Sequence, residues 1–409
     1  MSIQLQSVIS APPASSFDFT IVGAGASGLW LALALFEEGL LENLTLCIVE
    51  SDASKHNDRT WCYWEVASPQ PNVMVSKSWN SIYNPHNLLS RNDLLPYSYY
   101  HIRSADFYKS IKQQLATCAN ITWYTLTVAE IEVQSHGVLV KTVDTSWYSS
   151  QVFLSTQLPV RGQNLTDGLS DFLSQKERKK NAPFLWQSFV GWRLQTSSPI
   201  FDDTCATLMC FDIPQQNSTQ FIYELPFSAS EALIEITRFG QNQLTYQEAE
   251  ILLREFLEKK NIDFNILEKE HGNIPMTAQF DVRRKYLEAE TRVIYIGTLG
   301  GAIKPTTGYG FKRMQNYGKA LAKALREQKP LPTMRRLNRF RFYDHLLLRI
   351  LYSSPHRGKA VFQRLFETQP ISRVLRFLDE ETTILEEILI FLRLPIRLFL
   401  RSLLSYCFN

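Results

Sequence analysis

The stretch FDFTIVGAGASGLWLALALFEEGLLENLTLCIVESD, residues 17–52, constrains the fold more than any other part of the chain. β-Branched residues lead into Gly23, small residues carry a turn, an apolar run of helical length follows, Gly39 stops it, and LCIVE reads as a second strand. The order predicts a βαβ unit. Gly23, Gly25 and Gly28 form GxGxxG at the strand-to-helix junction, with Ala24 inside it, and Glu50 closes the second strand 22 residues after Gly28. Glycines at this spacing permit a tight turn and a close approach of backbone to pyrophosphate. The helix N-terminus then faces the phosphate charge, and the acid accepts a ribose hydroxyl. An adenine dinucleotide is therefore expected, NAD or FAD. Arg59 lies nine residues past Glu50 and suits the cofactor's phosphates, the other reading being a solvated surface arginine.

A second glycine loop favours FAD over NAD. TRVIYIGTLGGAIKPTTGYGFKRMQNYGKALAKAL, residues 291–325, reads as strand, loop at Gly297, Gly300 and Gly301, and a helix beginning near Tyr309. A strand-loop-helix this late, after an insertion, is what closing over the second half of FAD requires. The intervening chain mixes short strands such as ITWYTLTVAEIEV and FIYELPF with the helical TYQEAEILLREFLEKKN. The expected fold is α/β, with an FAD-binding Rossmann-like domain of the glutathione-reductase or hydroxylase type and an inserted sheet-based substrate domain. The boundaries read as a loose leader at 1–16, a discontinuous FAD-binding domain at 17–104, 105–160 and 270–330, and a substrate domain at 161–269 with neighbouring parts of 60–104. A helical C-terminal region follows at 331–409.

At 409 residues the chain exceeds one ordinary core, and 45% hydrophobic against 20% charged residues excludes disorder for most of it. Its six cysteines, at 47, 62, 118, 205, 210 and 407, form no CxxC pair and match no histidine cluster, so neither a metal site nor a disulfide framework is expected. The formal charge of +3 implies no nucleic acid, but it is unevenly placed: thirteen basic residues stand against seven acidic ones from Met334 onward. The first residues lack a basic n-region and a long apolar core, so no signal peptide is read there. Near the end, Arg393, Arg397 and Arg401 recur every four residues and are expected to stack on one helix face, with Ile, Leu and Phe on the other and a kink at Pro395. No run of about 18 apolar residues survives these arginines, which argues against a transmembrane span. An interfacial helix on the cytoplasmic face of the cell membrane is the expectation, an ordinary domain-packing helix the alternative.

The run ALIEITRFG, residues 232–240, holds an acid where none is needed for folding. Strand alternation places Leu233, Glu235, Thr237 and Phe239 on one face. Either Glu235 pairs with Arg238 or another surface cation, or it sits in an apolar pocket as a proton donor whose desolvation keeps it protonated.

The segments NDRTWCYWE, LWQSFVGWRLQT, FIYELPFSASEALIEITRF, EHGNIPMT and IGTLGGAIKPTTGYGF, followed by FYDHLLLRIL and FLDEET, resemble in order the blocks of bacterial flavin-dependent lycopene cyclases. The resemblance runs from about Asp18 almost to the end. It implies FAD across both glycine loops, with Thr307, Gly308 and Tyr309 in a flavin-contacting loop, and Glu235 as the catalytic acid-base. It further implies a linear carotenoid, lycopene, as substrate, closed without net redox change to β-ionone rings (γ-carotene, β-carotene) on a reduced flavin supplied by NAD(P)H. Glu235 would protonate the terminal C1=C2 bond directly or through that flavin; C5=C6 then attacks the cation and C6 loses a proton. Two departures stand out. LMCF places Cys210 where the family pattern has an Asp, and Ile236 follows Glu235 where some relatives carry a second acid, leaving no partner carboxylate on this strand. An FAD-dependent monooxygenase, another carotenoid or prenyl oxidoreductase, and a non-enzymatic carotenoid binder are the alternatives.

Overall fold

The run before the glycine turn folds as β1 (Ser16–Val22), whose alternating apolar residues are buried because strands lie on both sides of it. A computed structural model of the chain describes residues 16–52, 55, 57–69, 74–83, 91–161, 183–278, 292–334 and 336–407. β1 is parallel to β2 (Leu46–Glu50) on one side and to β11 (Ser146–Leu154) on the other. Beyond β2 lies β8 (Ile121–Thr125); beyond β11 come β10 (Gly137–Thr142), β9 (Val128–Gln134) and β12 (Val160–Arg161). β18 (Val293–Tyr295) returns from far along the chain to pair in parallel with β11, giving an eight-stranded sheet. Helix α1 (Ala26–Glu37) packs on this sheet beside α2 (Ser104–Leu115) and α4 (Phe311–Arg326). Every residue of α1 from Ala26 to Leu35 is buried, so its nearly all-apolar composition follows from having neighbours all round. At Gly318 an added Cβ would lie 3.1 Å from the backbone nitrogen of Leu31, so α1 and α4 touch backbone to backbone there.

A second sheet has seven strands in the order β17 (Phe264–Met276), β13 (Leu185–Thr196), β16 (Glu231–Gly240), β15 (Thr219–Ser228), β14 (Cys205–Cys210), β5 (Ser81–Tyr83) and β6 (Arg91–Asp93). One face carries α3 (Tyr246–Lys259), which starts on a capping box between Thr245 and Glu248. Val190, Trp192, Ile234 and Ile236 pack there against Leu252, Leu253 and Phe256, each worth up to about 1.5–3 kcal/mol of burial. A third sheet joins β3 (Thr60–Val66), β7 (Tyr97–Arg103) and β4 (Lys77–Trp79).

The α/β class with helices at the C-terminus is as the sequence implies, but three details are corrected. β17 runs unbroken through residue 270 and pairs along β13, so residues 270–276 belong to the second sheet and not to the nucleotide-binding part. Ser16, taken as the end of the leader, is the first residue of β1, and residues 1–15 lie outside the described residues. The late helix starts at Phe311 rather than near Tyr309, because Gly308 has φ +74° and Gly310 is also non-helical.

Among the described residues the C-terminal region has five α-helices: α5 (Asn338–Ser353), α6 (Gly358–Thr368), α7 (Ile371–Leu378), α8 (Ile384–Arg393) and α9 (Ile396–Cys407). Pro395 separates α8 from α9 instead of kinking one helix, so Arg393 does not stack with Arg397 and Arg401 on a common face. A buried ionic cluster fastens this region to the late glycine loop. Lys304 lies 3.2 Å from both Asp344 and Glu380, Arg313 is 3.0 Å from Glu380, Arg336 bridges the two acids, and the Thr306 hydroxyl donates to Asp344 at 2.7 Å. These acids come from FYDHLLLRIL and FLDEET. Burial pushes both carboxyls up, but Lys304 and Arg336 outweigh it and hold Asp344 below its ordinary value and Glu380 down to about 2.

Asp344→Ala strands Lys304 and Arg336 in the interior and is expected to cost about 3–5 kcal/mol in a denaturant unfolding curve. Both acids have folded-state values below their unfolded ones. Their stabilisation is therefore complete above about pH 4.5 and is lost as the pH falls toward 2, so the melting temperature of wild type should drop through this window more than that of Glu380→Gln. Parallel curves for the two proteins would refute the assignment.

Candidate functional site

Both glycine loops open onto one cavity of about 710 Å³ that passes between the two large sheets. Gly23 adopts φ +99°, and a Cβ on Gly28 would lie 2.1 Å from the Gly23 carbonyl oxygen, so the turn and the start of α1 close only with glycine at these places. Gly25 differs: an added Cβ meets nothing within 4 Å and points into open space. Gly25, Ala26 and Ser27 bring the positive N-terminal end of α1 to the cavity wall. Glu50 lines the same wall; its carboxylate accepts from the backbone nitrogens of Ala24 at 2.9 Å and Asp52 at 3.2 Å and from the Lys55 ammonium. Burial pushes Glu50 up, and Lys55 with the two N–H groups brings it below the ordinary range, so it is an anionic acceptor. Arg59 lies exposed at the margin, with its guanidinium on the Asp58 carbonyl at 2.7 Å.

Gly297, Thr307, Gly308 and Tyr309 line the cavity from the late loop. Ala24, Gly28, Gly300 and Gly301 do not. Ala24 serves through its N–H to Glu50, Gly300 packs with an added Cβ only 2.5 Å from the Tyr295 carbonyl oxygen, and Gly301 turns the chain at φ +78°. Thr307 Oγ1 and Gln187 Oε1 are buried beside Gly308 without hydrogen-bond partners, an unsatisfied polar pair of the kind a ring with nitrogen and carbonyl edges would satisfy. These residues, with the open space at Gly25, fit a dinucleotide spanning the two loops.

Of the two readings of Glu235, surface pairing with Arg238 and burial in an apolar pocket, the geometry favours the second. Glu235 and Thr237 line the cavity together with Phe239, whereas Ile234 and Ile236 face α3. Arg238 lies on the other side, bonded to Gln220 and Gln216 and 3.7 Å from Glu248, so it does not pair with Glu235. The Thr237 hydroxyl donates to Glu235 at 2.7 Å. The same cavity is lined by apolar side chains of the second sheet and α6, Leu208, Met209, Phe221 and Phe362 among them. Desolvation, then the charge of a second carboxyl, raises Glu235 well above the ordinary carboxylate range. That second carboxyl is Glu270. β16, β13 and β17 are in register so that Glu235 and Glu270 both stand opposite Gly191. No partner exists on Glu235's own strand, but one exists two strands away, and reading the strand alone missed it.

Tyr223 stands opposite Glu235 on β15, and its hydroxyl meets that of Tyr99, which bonds Tyr309 at 2.8 Å. Burial holds these phenols neutral. Cys210 is buried in the core under α3, opposite Ile222, and does not line the cavity; an acid there would have no cavity to act in.

The arrangement defines a two-sheet dinucleotide-binding protein with a buried carboxyl, raised above the ordinary carboxylate range, on the wall of its cavity. The chain belongs to the lycopene cyclase family, whose model, described as lycopene cyclase protein, matches residues 18–404. A lycopene beta-cyclase from Pseudescherichia vulneris is 25% identical over 299 residues, 71% of this chain and 70% of that protein. Among solved structures, a geranylgeranyl bacteriochlorophyll reductase-like protein from Thermoplasma acidophilum superposes with TM-score 0.53 at 12% identity, over 95% of this chain and 96% of that one. A flavoprotein/dehydrogenase from Cytophaga hutchinsonii gives 0.54 at 9% identity, over 92% and 99%. At such identities the two share the fold.

Gly25→Val should fold with a melting temperature close to wild type, since its added atoms meet only the cavity, yet retain little flavin per chain on purification. Full flavin absorbance in this variant would remove the turn from cofactor binding.

Proposed function

We propose that this chain is a carotenoid cyclase that closes the linear ends of lycopene to β-ionone rings without net redox change. The observation that carries the reading is Glu235, a carboxyl kept protonated inside an apolar cavity that is continuous with a dinucleotide-binding turn. Protonating an unactivated alkene requires an acid held against hydrocarbon and away from water. Glu235 gives its proton to C1=C2; the tertiary cation at C1 is attacked by C5=C6, and C6 then returns a proton to the same carboxylate. Thr237 orients the carboxyl through its 2.7 Å hydrogen bond. The aromatic wall, including Phe221, Phe239 and Tyr223, presents π faces to the cation and excludes water. The Gly23–Gly28 turn, Glu50 and the late loop would hold FAD, which, kept reduced by NAD(P)H, would supply electron-rich density to the site. A monooxygenase or prenyl reductase would share the fold but leave Glu235 without a task.

The C-terminal helices suit a substrate that resides in lipid. Ile384, Leu385, Ile388, Leu389 and Leu392 of α8 and Ile396, Leu400 and Leu404 of α9 point outward, with Leu385 74% and Leu392 65% exposed. These positions recur at three- and four-residue steps, so each helix presents one apolar stripe, with Arg393, Arg397 and Arg401 exposed alongside. No helix among the described residues is long and apolar enough to cross a membrane. The stripe fits insertion to headgroup depth with arginines on anionic lipid, at about 1 kcal/mol or more per inserted side chain. This revises the expected orientation, because apolar and basic groups share the outward surface.

In a lycopene-accumulating bacterial host, wild type should yield cyclic product without stoichiometric NADPH or O₂ consumption. Glu235→Gln should leave lycopene, with activity down by about 10²–10⁴ and flavin content unchanged. Equal cyclisation by both would remove Glu235 from the role. Leu385→Ser with Leu392→Ser and Leu404→Ser should move the protein from anionic vesicles to the supernatant in a flotation assay while its melting curve is retained; unchanged flotation would exclude these helices as the anchor.

A further inference from the structure

Gly191 is the centre of a gap in the cavity-side face of the second sheet. It stands directly between Glu235 of β16 and Glu270 of β17, and a Cβ there would lie 3.0 Å from Glu270 Oε1 and 3.1 Å from its Cγ. The glutamate side chain therefore leans over the missing side chain toward its counterpart. Glu270 is 9% exposed; Oε2 accepts the Thr60 hydroxyl at 2.8 Å, whereas Oε1, the oxygen over the glycine, is buried without a hydrogen-bond partner. A buried carboxylate oxygen is rarely left so, because an unmet acceptor loses its solvation without compensation.

The surroundings of the two acids are unequal. Glu270 has the Thr60 hydroxyl and the nearby Arg59 cation on its side. Glu268, on the same strand, is occupied by Arg103 at 2.6 Å, by Asn57 at 2.9 Å and by Arg193 at 3.7 Å. Glu235 has the Thr237 hydroxyl and an apolar chamber. Glu235 and Glu270 interact directly across Gly191, and two interacting buried carboxyls do not both ionise readily.

We propose that Glu270 is a positioning residue for Glu235: the pair holds one proton across Gly191, with the charge resting on Glu270 and the proton on Glu235, so that the acid stays loaded at neutral pH and above. The proposal rests on Glu235 being the proton donor. When the proton leaves, one O–H bond breaks and one C–H bond forms, and the pair carries two negative charges facing the cation. When C6 releases its proton, the O–H bond of Glu235 re-forms. No electron leaves or enters. Glu270 thus discourages early loss of the proton and favours the cation once formed. Burial and then the charge of Glu270 raise Glu235 well above the ordinary range; burial raises Glu270 too, to about 7, but the Thr60 hydroxyl, Arg59 and the hydrogen bond with Glu235 act to lower it, so the two surroundings favour the charge on Glu270.

The test is the pH profile of cyclisation by the flavin-loaded protein on lycopene in vesicles. Glu270→Gln removes the charge and gives Glu235 an amide to accept from, so its pKa falls. The alkaline limb should move about one unit or more toward acid, about a tenfold loss at the alkaline end of the wild-type plateau, with little change at low pH. Gly191→Ala, which pushes the acids apart without deleting either, should move the limb in the same direction, and Glu270→Asp should recover part of the shift. Without substrate or flavin, the infrared band of the protonated carboxyl, absent in Glu235→Gln, should titrate at lower pH in Glu270→Gln. A Glu270→Gln profile superposable on wild type, with Glu235→Gln inactive, overturns the role of Glu270 and leaves Glu235 as the acid. Wild-type cyclisation by Glu235→Gln overturns the underlying reading instead.

Discussion

Backbone pairing of β16 with β13, and of β13 with β17, is the constraint on which the rest of the site depends. Ten residues of β16 are paired in register with β13, and Glu235, Thr237 and Phe239 among them line the cavity. A carboxyl in that position loses its hydration, and the ionised form would be expensive to keep there. The same pairing brings a second carboxyl to the far side of a glycine. The upward shift of Glu235 is thus a property of a sheet, made by three strands in which Gly191 of β13 and Glu270 of β17 pair across 79 residues of chain.

The cavity is lined by two chemically different sets of residues. One is the turn of Gly23 to Gly28 and the carboxylate of Glu50, polar and shaped for a charged, ribose-bearing molecule. The other is aromatic and aliphatic side chains contributed by the second sheet and by α6. The late loop joins them, and its conformation is held by the buried cluster of Lys304, Arg313, Arg336, Asp344 and Glu380. Helices with an outward apolar stripe are consequently tied through charge pairs to the loop that borders the site. In the reading proposed, lipid contact, substrate entry and cofactor seating share one mechanical connection.

Much of this was legible in the chain because local rules govern it. The GxGxxG turn, Glu50 at the end of its strand and the late strand-loop-helix each depend on neighbours in sequence, and each lies where spacing put it. Glu235 was legible as an anomaly, an acid on the apolar face of an alternating strand. Glu270 was not: it sits on an edge strand rich in charge, NILEKEHGNIPM, where alternate acids look like an ordinary solvated face. Nor was the separation of α8 from α9 foreseen, since a period of four across Pro395 suggested one helix kinked there rather than two. Asp344 and Glu380 stood in quoted blocks without a task until Lys304 and Arg336 were seen around them.

What the sequence by itself determined is the set of local conformations: where glycine must turn the backbone, which strands alternate, which helices are apolar all round. Only the tertiary structure decided which acid is dry, which is its partner and which apolar stripe is left facing outward. The physical reason is that protonation follows from the environment of a group and not from its neighbours along the chain. That environment is assembled by strand register and by the absence of one side chain at Gly191.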